Sequence, residues 1–150
     1  MCVAASFTRR WPTGACWLSD GDRSRSRASV LDRAAEDEAA VRAVLDMAEV
    51  SDAIAGFHAQ QAIEKAIKAV MAERAVDFPF SHDLSVLLGL CKQAAIEVPS
   101  ELDGIDQLTP YAARLRYGGE VSGGVDRATA MRWATTAVAW ARGIVKPLTG

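Results

Sequence analysis

Hydrophobic and polar positions follow one another along this chain at the three- and four-residue spacing of helices. No segment keeps a period of two long enough to argue for a strand. The plainest case is FHAQQAIEKAIKAV, Phe57 to Val70, where Ala59, Ala62, Ile63, Ala66, Ile67 and Val70 recur on one stripe. Gln60, Gln61, Glu64, Lys65 and Lys68 fall on the other side: two amides, a carboxylate and two ammonium groups. The small alanines allow a second helix to approach closely, so the stripe predicts a core-facing surface and the polar side a contact or solvated face.

The same reading predicts the other elements. Leu31, Ala34, Val41, Leu45 and Ala48 form the stripe of a first helix starting near Val30, with Ser29 as its N-cap and Glu36, Asp37 and Glu38 outside or at its edge. Ser51-Asp52 breaks the pattern and caps a second helix that runs to about Ala75. Pro79, between Phe78 and Phe80, stops it. Ser81 or His82 starts a third helix with Leu84, Leu87, Leu88, Cys91 and Ala94 inward, and Pro99-Ser100 interrupts again ahead of a short turn holding Leu102 and Ile105. Thr109-Pro110 reads as an N-cap followed by proline at the first helical position, opening a helix to about Tyr117 with Tyr111 and Leu115 inward. After a glycine-rich loop, Asp126 caps a last helix to about Val145. Its wide apolar arc, including Trp133, Ala137, Val138 and Ala141, calls for two neighbours. The expected fold class is all-α, an antiparallel up-and-down bundle of four to five helices.

Charge divides the chain. Residues 1–29 carry five arginines and two aspartates, a net of +3 within a total of −2. Gly21 to Ser29 is a polar Ser/Arg run with little to bury, so residues 1–29 are expected to be a disordered extension and residues 30–148 the helical domain. A basic nucleic-acid-binding arm is the functional alternative for that extension. The net charge of −2 argues against a broad nucleic-acid surface and leaves only a local basic patch. There is neither an apolar run of about 18 residues nor the h-region of a secretory signal. Cys2, Cys16 and Cys91, with no C-x-x-C spacing, suit free thiols in a reducing cytoplasm. No His/Cys/carboxylate cluster has the spacing of metal ligands, and no cofactor is expected.

FHAQQAIEKAIKA, then SHDL about a dozen residues later, then YAARLRYGGE, resemble the successive signatures of the HEPN domain family (higher eukaryotes and prokaryotes nucleotide-binding). The first signature is specific, because it fixes Gln61, Glu64, Lys65 and Lys68 in one helix. The resemblance implies a helical bundle, a homodimer, and a nucleotide ligand or a minimal nucleotidyltransferase partner, in several cases within toxin–antitoxin systems. Many members are metal-independent ribonucleases with an arginine followed four to six residues later by histidine. Here the only histidines are His58 and His82, and none follows Arg114 or Arg116. No catalytic residue is therefore assigned, and the expectation is a non-catalytic module; a divergent ribonuclease toxin and a purely structural dimerisation subunit are the alternatives.

The candidate ligand-binding residues are Gln61, Glu64, Lys65, Lys68, His82, Asp83, Arg116 and Tyr117. In the functional reading, the amides of helix two read a base and its lysines meet phosphate; in the bland one, Glu64 and Lys68 are an exposed i,i+4 pair. His82-Asp83 reads as a helix cap or a ligand contact. Arg114 and Arg116 diverge by about 200° on a helix, and Arg116, beside Tyr117, is the better phosphate candidate.

Overall fold

The computed structural model describes residues 20–117 and 124–147, with side chains from residue 27 onward except those of 114–116. Among the described residues five helices follow one another: α1 (Asp20–Val44), α2 (Asp52–Glu73), α3 (Leu84–Gln93), α4 (Thr109–Tyr117) and α5 (Arg127–Ile144). Two short 3-10 turns, Ser100–Leu102 and Ile105–Leu108, link α3 to α4. No strand occurs among the described residues.

α2 is the axis of the bundle, packing on α1, α3, α4 and α5. Its alanines make this possible: Ala55, Ala59, Ala62, Ala66 and Ala69 are fully buried, so four neighbours can approach one helix. Ile63, Ile67, Val70 and Met71 fill the core with Leu31, Ala34 and Val41 of α1. Ala134, Ala137, Val138 and Ala141 of α5 complete it, as the wide apolar arc of that helix requires. Cys91 is buried in the same core, and burial pushes its thiol up to about 11. Gly56 leaves room for the Tyr111 ring, since a Cβ there would sit 2.5 Å from two ring atoms. The Tyr111 hydroxyl accepts a hydrogen bond from Val125 N at 3.0 Å, tying the approach to α5 onto α4.

Several boundaries differ from the sequence expectation. α1 begins at Asp20, so Ser29 lies inside the helix rather than at its cap. The run from Asp22 to Val44 contains neither Gly nor Pro, and adding residues to an existing helix costs far less than starting one. Arg27 Nε also reaches Glu73 at 2.8 Å across the antiparallel α1–α2 pair. Residues 1–19 of the expected extension lie outside the described residues. At its other end α1 stops at Val44, which leaves Ala48 exposed. α3 is capped by Asp83, not Ser81 or His82, and Ala94 is its exposed C-cap rather than a core position.

Helices α2 and α3 end alike. Val76 N donates to Met71 O at 2.8 Å and Ile96 N to Cys91 O at 2.9 Å, the six-to-one bond of a Schellman turn. The residue in the left-handed conformation is an alanine in both, Ala75 at φ 54° and Ala95 at φ 55°. At the start of α5, Asp126 accepts from Thr129 N at 2.7 Å, the expected cap.

Candidate functional site

The polar face of α2 is not a free surface. Gln60, Glu64 and Lys68 occupy successive i,i+4 positions and are 0%, 4% and 9% exposed. The segment before α3 covers them. Pro79 ends the connection, and Ser81 and His82 turn their carbonyls down onto the strip: Lys68 Nζ donates to Ser81 O at 3.0 Å and Gln60 Nε2 to His82 O at 3.1 Å. The expected exposed pair of Glu64 and Lys68 is thus a buried one.

Glu64 is the hub of this network. Its carboxylate accepts from Lys68 Nζ at 2.7 Å, from Gln60 Nε2 at 2.8 Å and from His82 Nδ1 at 3.1 Å. An ionised carboxylate can only accept, so this bond requires an N–H on His82 Nδ1. The His82 side chain is 39% exposed, while that of Glu64 is 5%. Gln61 closes the arrangement by donating from Nε2 to Gln60 Oε1 at 2.7 Å. The three buried members, Gln60, Glu64 and Lys68, are satisfied by one another, by Gln61 and His82, and by the backbone, as a buried network must be.

Lys65 belongs elsewhere. It pairs with Asp37 of α1, whose other oxygen receives His58 Nδ1 at 2.9 Å. Asp37 and Glu38 were not candidates, because an acidic run at the edge of a stripe carries no sign of what lies across from it. Glu38 is 6% exposed and accepts from Arg42 and from Thr135 of α5.

Above the network lies an open groove of about 360 Å³. Phe80, Ser81, His82 and Asp83 form one wall; Thr109, Ala112, Ala113 and Tyr117 of α4 form the other. Two of the eight candidates, His82 and Asp83, come together on one wall, and Tyr117 faces them from the other. The backbone of Arg116 is in α4, but its side chain lies outside the described ones. Phe80 joins the site unforeseen; the one signal for it was a bulky ring next to proline in a loop. Phe80 and Tyr117 are 80% and 84% exposed. Lys68 Nζ lies 6.0 Å from the centre of the Phe80 ring.

Local bonds fix the shape of the groove. Asp83 Oδ1 accepts from Ser85 Oγ at 2.5 Å and Ser85 N at 2.9 Å, which holds the Asp83 carboxyl below the ordinary 3.8 and keeps it charged. Thr109 does not cap its own helix through its hydroxyl. Thr109 Oγ1 accepts from Leu84 N at 3.1 Å and so pins α3 to α4, one wall to the other. Among the described residues, no group of three or more His, Cys, Asp or Glu side chains could hold a metal, and no helix is long and apolar enough to cross a membrane.

A family model described as HEPN domain matches residues 28–148. No curated protein and no solved structure matches the chain.

Proposed function

The chain belongs to the HEPN family, and from that premise we propose that it is a non-catalytic binding module that docks a protein partner, of the minimal nucleotidyltransferase kind, through the Phe80–Tyr117 groove. The observation that carries this reading is the closure of the α2 strip. Gln60, Glu64 and Lys68 spend their hydrogen bonds on one another and on the Ser81 and His82 carbonyls, so the strip supports the fold instead of reading a base or a phosphate. What faces outward is a groove with two exposed rings, His82 and a charged Asp83. Exposed aromatics of this kind are the usual anchors of protein interfaces. Homodimerisation and a cytoplasmic, toxin–antitoxin type of setting belong to the same reading. The absence of an arginine followed four to six residues later by histidine supports the non-catalytic assignment.

A second reading, nucleotide binding in the same groove, is favoured by one observation. Phe80 and Tyr117 offer faces on which a base could stack. Co-expression with the product of the neighbouring reading frame separates the two. A complex that co-purifies with the full chain and dissociates on Tyr117→Ala or Phe80→Ala supports partner docking. Calorimetric binding of ATP to the chain alone, lost in the same variants, would put the nucleotide reading in its place.

A further inference from the structure

We propose that Lys68 and Gln60, buried and outside the groove lining, are the positioning residues that hold the Phe80–Asp83 wall in place from beneath; the consequence for binding rests on the docking reading above.

The first argument is where this wall takes its support. Ser81 and His82 each turn a main-chain carbonyl onto α2, and the donors they meet are side chains: Lys68 Nζ at 3.0 Å and Gln60 Nε2 at 3.1 Å. The bond from Ser81 N to Pro79 O, at 2.8 Å, is local, so it shapes the wall without tying it to the bundle. At the other end Thr109 of α4 pins Leu84 N separately. The wall is thus held at two points by two different helices, and its Phe80 end is the one above α2.

The second argument is the contact set of Lys68. Its Nζ lies 5.8 Å from the centre of the Phe78 ring and 6.0 Å from that of Phe80, and it donates to Ser81 O. Both ring distances are within reach of the attraction between a cation and an aromatic face. Phe78 is buried and Phe80 is exposed. One ammonium therefore links a ring sunk in the core, a ring standing in the groove and the carbonyl that follows it. A pairing with Glu64 alone would need none of these contacts.

The third argument is energetic. An apolar pair of similar volume is often as stable as a buried ion pair or more so, because both charges lose their water. What Glu64 and Lys68 add is geometry. Glu64 holds the Lys68 ammonium at 2.7 Å and the His82 ring at 3.1 Å, and those two groups hold the wall. Removing the pair as a pair should leave the bundle folded while the wall loosens, an outcome that plain support of the fold would not give.

The test uses the full chain carrying Glu64→Met and Lys68→Met together, which leaves no lone buried charge. Backbone nitrogen relaxation is expected to show order parameters at residues 80–83 falling from about 0.85 to about 0.6 or below, while α1 and α5 keep their rigid values. Lys68→Arg, which keeps the charge and the donors, should leave the wall rigid. Gln60→Met involves no charge and carries the same expectation for His82 and Asp83, which keeps the test open if the double variant does not fold. Ile63→Val, on the buried apolar stripe of α2, should lower stability without loosening residues 80–83. A wall that stays rigid in both methionine variants, or one loosened equally by Ile63→Val, would overturn the proposal. Retention of the co-expressed partner separates the two levels of argument. A loosened wall with the partner lost supports both; a loosened wall with the partner retained keeps the positioning and removes docking on this wall. A rigid wall removes the positioning whatever the partner does.

Discussion

Glu64 Oε1 and Lys68 Nζ lie 2.7 Å apart, one turn along α2, with side chains only 5% and 11% exposed. A pair of this kind owes its geometry to its surroundings: Gln60 and His82 complete the carboxylate, and the Ser81 carbonyl shares the ammonium. Removing one member therefore leaves the other charge buried and unmatched. Glu64→Ala should cost about 3–5 kcal/mol. Exchanging both residues for methionine should cost less than the two single changes together, because no lone charge remains. Urea unfolding of the two single variants and the double variant measures this directly, and additive losses would show that the charges are not coupled.

Arg127 makes a longer-range tie. From the first turn of α5 it donates to Val44 O and Met47 O, both at 2.8 Å, to Val50 O and to Asp52. These carbonyls run from the last residue of α1 through the connection to α2, where Val44 O and Met47 O also accept from Met47 N and Val50 N. Arg127→Lys should destabilise by about 2 kcal/mol, because a single ammonium cannot reach three carbonyls as a guanidinium fork does. A drop in thermal midpoint together with faster hydrogen exchange in residues 45–51 is the expected signature.

Gly56→Ala places a methyl carbon against the Tyr111 ring, which is buried at 2% exposure and anchored through its hydroxyl to Val125 N. The ring cannot yield without releasing that bond. The expected cost is about 1–3 kcal/mol. Combining the change with Tyr111→Leu should restore part of the loss in the same denaturation experiment.

Asp83 and Asp126 cap α3 and α5, and the bonds from Ser85 and Thr129 hold both carboxyls below their ordinary 3.8. A folded value below the unfolded one gives stability that is complete above the unfolded value and is lost as pH falls through the folded one. Stability should therefore decline below about pH 4, and a variant with asparagine at both positions should decline less steeply there. Near neutral pH it should keep most of its helix stability, since asparagine caps too. Chemical unfolding followed by circular dichroism across the acid range provides the check; identical slopes would rule out these two caps as its source.

Ala95 is exposed and sits at φ 55°. Left-handed backbone strains a residue that has a Cβ, and glycine relieves that strain. Ala95→Gly should raise stability by about 0.5–1 kcal/mol, the reverse of what glycine does inside a helix. Ala75→Gly should act in the same direction at the end of α2.

Legibility in the sequence followed locality. The apolar stripe of α2 and the Asp126 cap depend on residues within one or two turns, and both were visible as spacing. The burial of Gln60, Glu64 and Lys68 depends on Ser81 and His82 coming down on them, from 13 to 22 residues away. Periodicity assigns a face; it carries no information on which loop will cover that face. Thr109 is the sharpest instance, since it has the chemistry of an N-cap and sits before a proline, yet its hydroxyl serves Leu84, 25 residues earlier. In the same way the partner of Lys65, Asp37, lies 28 residues earlier on α1, out of reach of any local pattern.

The Arg127 tie also has a consequence in time. The turn that joins the first two helices is fastened by a residue 75 to 83 positions further along. A chain made from its N-terminus onward can form α1 and α2 early, but that hinge stays unfastened until α5 has been made and has docked. The fifth described helix thus locks the corner between the first two.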